Sequence, residues 1–150
     1  MDQWVESIRG IVSPEDCDVN GHMNVKGYFE QFGEASGYLL KLAGLYYSDV
    51  VKIGFGMGTI VNTIRYRSEL VDGDPYVIHS AFIRLGRSSV RYVHKMTNVL
   101  TGELSASSDH TEALFDLQAR ASVALNESMR SQVEPMLVEL TGDDAEWFGV

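Results

Sequence analysis

From Asn24 onward the apolar residues fall at steps of three and four: Val25, Tyr28, Phe29, Phe32, Ala35, Tyr38, Leu39 and Leu42. That spacing gathers them on one face of a helix about five turns long. Asn24 suits its N-cap and Gly44 its C-terminal stop. The interior of the same helix carries Gly27, Gly33 and Gly37. Each lowers helix stability by about 1 kcal/mol relative to alanine. Three of them together predict close approach of another backbone, as where a sheet wraps tightly round a helix.

What surrounds the helix reads as β. Trp4–Ser13 is strand-like and ends at Pro14, and the stretch from Met57 to Arg67 is rich in β-branched residues. Strands then follow over Tyr76–Leu85, Val90–Thr97 and Glu103–Phe115, punctuated by turn signals at 71–74, 86–89 and 101–102. Residues 45–57 read as a glycine-rich connection, residues 119–130 have helical composition, and the last dozen residues are expected to fray. One strand, one long helix and at least four consecutive antiparallel strands define the α+β class. The 150 residues contain no repeat and no linker. A single domain over 1–150 is expected, with its core at about 5–125 and an acidic C-terminal tail.

Charge and cysteine usage narrow the function classes. A net charge of −9 disfavours nucleic acid as a partner. The single cysteine, Cys17, permits no internal disulfide and points to a reducing compartment. MDQWVESIRG has neither a basic run nor an apolar segment of the signal-peptide kind, and no apolar run reaches the length of about 18 residues that a membrane span needs. A soluble, cytoplasmic protein is the expectation. The charge is unevenly spread, however. Arg65, Arg67, Arg84, Arg87, Arg91 and Lys95 form a locally basic stretch, whereas Glu134, Glu139, Asp143, Asp144 and Glu146 crowd the tail. The basic stretch is suited either to an anionic small molecule or to solvated strand edges.

The loop before the helix, DCDVNGHMN at 16–24, concentrates polar chemistry. Asp16, Asp18, Asn20 and Gly21 match the first half of a calcium loop, but its twelfth position, which should hold a bidentate Glu, is Gly27. The preceding strand is also the wrong flank. Asn20-Gly21 is a common turn pair, which does not explain a His and an Asn at a helix entrance. A catalytic corner accounts for more. A carboxylate here can attack an acyl carbon or deprotonate a water that does, while the unpaired amides of the helix start can hold an oxyanion.

The stretch PEDCDVNGHMNVKGYFEQFGEA, residues 14–35, resembles the hotdog-fold thioesterases of the 4-hydroxybenzoyl-CoA thioesterase type, in particular the subgroup with D-x-D-x-N-x-H-x-N before the central helix. The segments 64–74, 85–91 and 106–117 agree more loosely. The resemblance implies one long helix in the wrap of a curved antiparallel sheet. It implies subunits paired edge to edge as a homodimer or homotetramer with the active site between them. The implied activity is hydrolysis of an acyl-CoA without cofactor or metal. Asp18 would be the nucleophile or general base, and Asn20 and His22 would position the water. Glu34 would be the acidic residue of the central helix. Asn24 and the amides round Met23 would face the oxyanion, and Arg87 and Ser88 would meet the CoA. A non-catalytic acyl-CoA-binding protein, an acyl-carrier-protein thioesterase and a dehydratase are the alternatives on the same fold.

Other reactive side chains are set aside. Asp16 is expected to bond local amides. The carboxylates beside Cys17 should raise its thiol pKa and keep it from acting as a nucleophile. His79, on an alternating strand, is expected to be a satisfied core histidine. His94 and His110 have no evident partner, and the histidines and carboxylates show no metal-ligand spacing. Met57 suits an acyl pocket or plain packing.

Overall fold

The computed structural model describes residues 3–150, so the first two residues of the MDQW segment lie outside it. Strand β1 (Val5–Ile11) leads through a single 3-10 turn (Pro14–Asp16) to helix α1 (Val25–Leu42). A short helix α2 (Tyr47–Lys52) precedes β2 (Phe55–Tyr66), β3 (Pro75–Leu85), β4 (Ser89–Asn98) and β5 (Leu104–Asp116). A two-residue β6 (Ala121–Ser122), α3 (Glu127–Val133), a 3-10 turn (Glu134–Met136) and α4 (Gly142–Phe148) complete the chain.

All pairings between the strands are antiparallel, in the order β1-β3-β4-β5-β2, with β6 added beside β5. Bulges in β1, β2, β3 and β5 bend and twist strands, and the sheet closes partway round α1. This is the hotdog architecture, one long helix in the curve of an antiparallel sheet. Helix α1 forms as its spacing predicts. The Asn24 side chain accepts from the Gly27 amide, and Gly44 adopts the left-handed conformation just past the end. Phe32, Ala35, Leu39 and Leu40 are buried against the sheet, and each of the larger three contributes roughly 1.5–3 kcal/mol.

The helix glycines have other causes than the sheet. A Cβ on Gly27 would meet the side chains of Met23 and Asp16 at 3.1–3.3 Å, so this glycine lets the loop fold back on the helix. A Cβ on Gly37 would touch Tyr46, and one on Gly33 would meet nothing within 4 Å. Gly33 lies on the side of α1 that this chain leaves open.

Three segments depart from expectation. Residues 47–52 form α2, which is too short to show periodicity. Residues 119–130 are not one helix. Asp116 accepts from the amides of Gln118 and Ala119, Arg120 has a φ of 57°, and the resulting turn lets β6 pair back on β5 before α3 begins.

The tail is a docked cap. The Val138 amide donates to Phe82 O, and Phe148 packs on Ala81 and Val93 over the outer face of the sheet. The basic stretch holds this cap. Arg65 donates to Trp147 O, Arg65 and Arg67 lie over the Trp147 ring, Arg91 donates to Phe148 O, and Lys95 pairs with Asp144 at 2.9 Å.

The histidines also exchange places. On β3 it is Ile78, Ser80 and Phe82 that are fully buried towards α1, so His79 lies half-buried on the outer face. His94 and His110 are the core histidines. Both ring nitrogens of His94 are hydrogen-bonded, to Ser36 and Ser80, and His110 bonds Ser108. Beside them Glu112 accepts from the hydroxyls of Tyr47 and Tyr92 at 3.0 and 2.6 Å. Burial lowers the pKa of both histidines, that of His110 to about 4, with Asp109 acting against it.

Candidate active site

The polar loop is pinned from both sides. The Asp16 carboxylate accepts from the amide and hydroxyl of Ser13. The Asn24 amide donates to Asp16 O, and the Met23 amide donates to Leu70 O at 2.7 Å. Between these anchors the chain turns tightly: the Asp18 amide donates to His22 O, and the Gly21 amide, at a φ of 78°, donates to Asp18 O. Glycine accommodates that conformation without a Cβ penalty. The turn carries Asp18 and His22 to one side, where both side chains remain about one-third exposed.

There the imidazole sits between two carboxylates. Its Nδ1 lies 3.1 Å from Glu69 Oε2, and its Nε2 lies 4.0 Å from Asp18 Oδ1. A hydrogen bond to Glu69 places the proton of the neutral ring on Nδ1 and leaves the Nε2 lone pair towards Asp18. The Asn20 amide donates to Asp18 Oδ1 at 2.8 Å, fixing the carboxylate. Asn20 therefore reaches Asp18 through its backbone. Its carboxamide does not line the adjoining cavity.

That cavity, of about 300 Å³, opens between the loop, the start of α1 and the end of β2. Asp18, His22 and Met23 form one wall, and Tyr66, Ser68 and Glu69 the other, with Tyr28 and Val25 between. The rings of Tyr28 and Tyr66 meet edge to face, 5.1 Å between centroids, and Tyr28 is held through its hydroxyl by Ser105 at 3.1 Å. Arg67 contributes to the rim, while its guanidinium lies over Trp147.

The amides of Met23 and Asn24, expected to face an oxyanion, are committed to Leu70 O and Asp16 O. The next two, on Val25 and Lys26, have no partner among the described residues. They are the first turn of an 18-residue helix, where unpaired N–H groups and the positive end of the dipole coincide. Cys17 is half-buried within the loop. Burial, then Asp72 and Asp16, push its thiol pKa up, which leaves it protonated and unreactive.

Two groups of expected site residues lie apart. Glu34 is exposed on α1, ten residues beyond Asn24, or about 15 Å along the axis. Arg87 and Ser88 occupy the β3–β4 hairpin at the opposite end of the sheet, where the Ser88 and Arg87 carbonyls accept from the amides of Leu114 and Leu125. Conversely, Glu69 and Tyr28 belong to the site although no local pattern marked them. Glu69 arrives from a β2–β3 connection whose register the Met23–Leu70 bond sets.

The model of the thioesterase-like superfamily matches residues 12–133. The chain belongs to that superfamily. Among solved structures, this thioesterase-like chain is similar to a hypothetical protein from Staphylococcus aureus in complex with CoA, at 19% identity and a TM-score of 0.86 over 96% of this chain and 92% of that one. It is also similar to a 1,4-dihydroxy-2-naphthoyl-CoA thioesterase from Synechocystis, at 14% identity and a TM-score of 0.76 over 85% and 94%. A curated relative, an L-carnitine dehydrogenase/betainyl-CoA thioesterase from Rhizobium meliloti, is 23% identical over 119 residues, 79% of this chain. The chain spans about a quarter of that relative's length. No helix among the described residues is long and apolar enough to cross a membrane.

Proposed function

We propose that this chain is an acyl-CoA thioesterase in which Asp18 acts as the general base. The observation that carries the reading is the gap of 4.0 Å between Asp18 Oδ1 and His22 Nε2. It is too wide for a direct hydrogen bond and suits a water donating one proton to each. As that water attacks the acyl carbon, its proton passes to Asp18 and its oxygen forms the new C–O bond. The amides of Val25 and Lys26 donate hydrogen bonds to the developing oxyanion. The C–S bond then breaks, the thiolate recovers the proton from Asp18, and the products are a carboxylic acid and CoA. His22, held by Glu69, orients the water, and Asn20 orients Asp18.

The working form proposed is a dimer joined along β2. This strand is an unpaired edge of the sheet, 12 residues long, with Ile60 62% and Val61 51% exposed. Beside it α1 exposes Val25 and Phe29, and Gly33 has open space. A long apolar edge of this kind calls for a partner. Two-fold antiparallel pairing of β2 brings the Arg87 hairpin of one copy to the same end of the joined sheet as the Asp18 loop of the other. That arrangement gives Arg87 and Ser88 access to the CoA of the neighbouring site, and it covers Glu34. Arg84 and Arg87 are the two residues of the basic stretch that the C-terminal cap leaves free for such a role.

The test is thiol release across a panel of acyl-CoA esters, with Asp18→Ala as control. Wild-type hydrolysis and a kcat at least about 100-fold lower in the variant, at unchanged circular dichroism, are expected. Near-normal turnover by Asp18→Ala removes Asp18 from the mechanism. Tight acyl-CoA binding with no turnover by the wild type replaces the hydrolase with a binding protein.

A further inference from the structure

We infer that the acyl group this site selects is short and positively charged, of the quaternary-ammonium kind, a reading that rests on the thioesterase assignment above. Three observations carry it. First, the cavity is closed behind Tyr28. Phe32, Met96 and Ala106, which lie further in, are 0–1% exposed, so the chain offers no channel along α1 for a long alkyl group. A volume of about 300 Å³ fits a compact acyl head.

Second, the charge facing the cavity is negative. Asp18 and Glu69 are both present, and His22 between them offsets at most one. No Lys or Arg turns its charge inward. The Arg67 guanidinium lies over Trp147, and Lys26 is 82% exposed and pairs with Glu30. A neutral acyl chain gains nothing from this field, and an anionic one is repelled by it.

Third, an aromatic surface stands at the same place. Tyr66 is 49% exposed and is fixed edge to face on Tyr28, which itself is 4% exposed and anchored to Ser105. A ring face held rigidly beside carboxylates attracts cations that are too poorly hydrated and too crowded to form hydrogen bonds. A trialkylammonium head is such a cation. Glu69, 66% exposed on its side-chain surface, can therefore serve twice, towards His22 and towards the acyl head.

Betainyl-CoA and 3,3-dimethylbutyryl-CoA test this directly, because their acyl groups have the same shape and differ in the charge of one atom. The wild-type protein should show a kcat/KM for betainyl-CoA about tenfold or more above that for the neutral isostere. In Tyr66→Leu that ratio should fall towards one, and in Tyr66→Phe, which keeps the ring face, it should persist. Because each ratio is taken on one protein preparation, a general loss of folding or turnover cancels. Hydrolysis of the neutral isostere as fast as betainyl-CoA, or of long-chain acyl-CoA in preference to both, overturns the charged-acyl inference and leaves the thioesterase assignment standing. Failure to hydrolyse any member of the panel overturns both.

Discussion

Glu69 Oε2 stands 3.1 Å from Nδ1 of His22, although 47 residues separate them in the chain. The contact exists because the β2–β3 connection returns to the polar loop, where the Met23 amide bonds Leu70 O. It fixes both the tautomer and the direction of the imidazole, and so decides which nitrogen faces Asp18.

Glu69→Gln should lower kcat about tenfold, the effect of losing one hydrogen bond to a charged partner. Thermal stability should hardly change, since the carboxylate is largely exposed. Steady-state kinetics beside a thermal melt checks this. A variant with undiminished kcat would remove Glu69 from the positioning of His22.

Ile60→Lys addresses assembly. Within one chain Ile60 is 62% exposed, so a lysine there should change monomer stability by no more than about 0.5 kcal/mol. On a paired β2 edge it would bury charge. Sedimentation velocity should show a wild-type dimer, a monomeric variant, and loss of turnover with the dimer. A dimer unaffected by the lysine would place the interface elsewhere.

The core histidines give a pH dependence. Both are buried, with folded-state pKa values below the ordinary range, His110 at about 4. The unfolded chain takes up their protons near pH 6.5, so the stability is fully present above that pH and drains as pH falls towards 4. Between pH 7 and pH 5 His110 alone should cost about 2 kcal/mol, and His94 adds to the loss in the same direction. Urea midpoints across that interval measure it. A flat profile would mean that the histidines are protonated in the native state.

Phe148→Ala should destabilise by about 3 kcal/mol, because the ring is 5% exposed and seals Ala81 and Val93. Trp147→Ala should be milder, and more so at high salt, as it removes cation–π contacts with Arg65 and Arg67. Chemical denaturation of both variants tests whether the tail belongs to the fold. Wild-type stability in Phe148→Ala would return it to a frayed end.

What could be read before folding was what short-range chemistry encodes. The period of α1, its Asn24 cap and its Gly44 stop are local, as are the alternating strands and their turns. The polar loop was legible for the same reason: Asp18, Asn20 and His22 lie within five residues of one another, and their types restrict the chemistry they can do. The hydrogen bonds of Asp16 to Ser13 follow from neighbours in sequence, whereas the Cys17 thiol is raised first by burial and by Asp72, which only the fold brings near, and then by the adjacent Asp16.

Strand phase was harder. His79 and His94 are both on alternating strands, and only the bulge pattern and the covering elements determine which faces α1. The basic stretch gave no hint of its partner. It is the tail, folded over the outer face, that takes Arg65, Arg67, Arg91 and Lys95, pairings between residues 49 to 82 positions apart.

The sequence by itself determined the class of fold, the helix with its caps, and the polar loop that carries Asp18, because each depends on residues within a few positions. The tertiary structure alone decided that Glu69 holds His22, that Val25 and Lys26 keep the free amides, and that Tyr28 meets Tyr66. Those contacts depend on register between distant strands, which is fixed by the sum of buried surface and backbone pairing over the whole sheet and by no single segment of it.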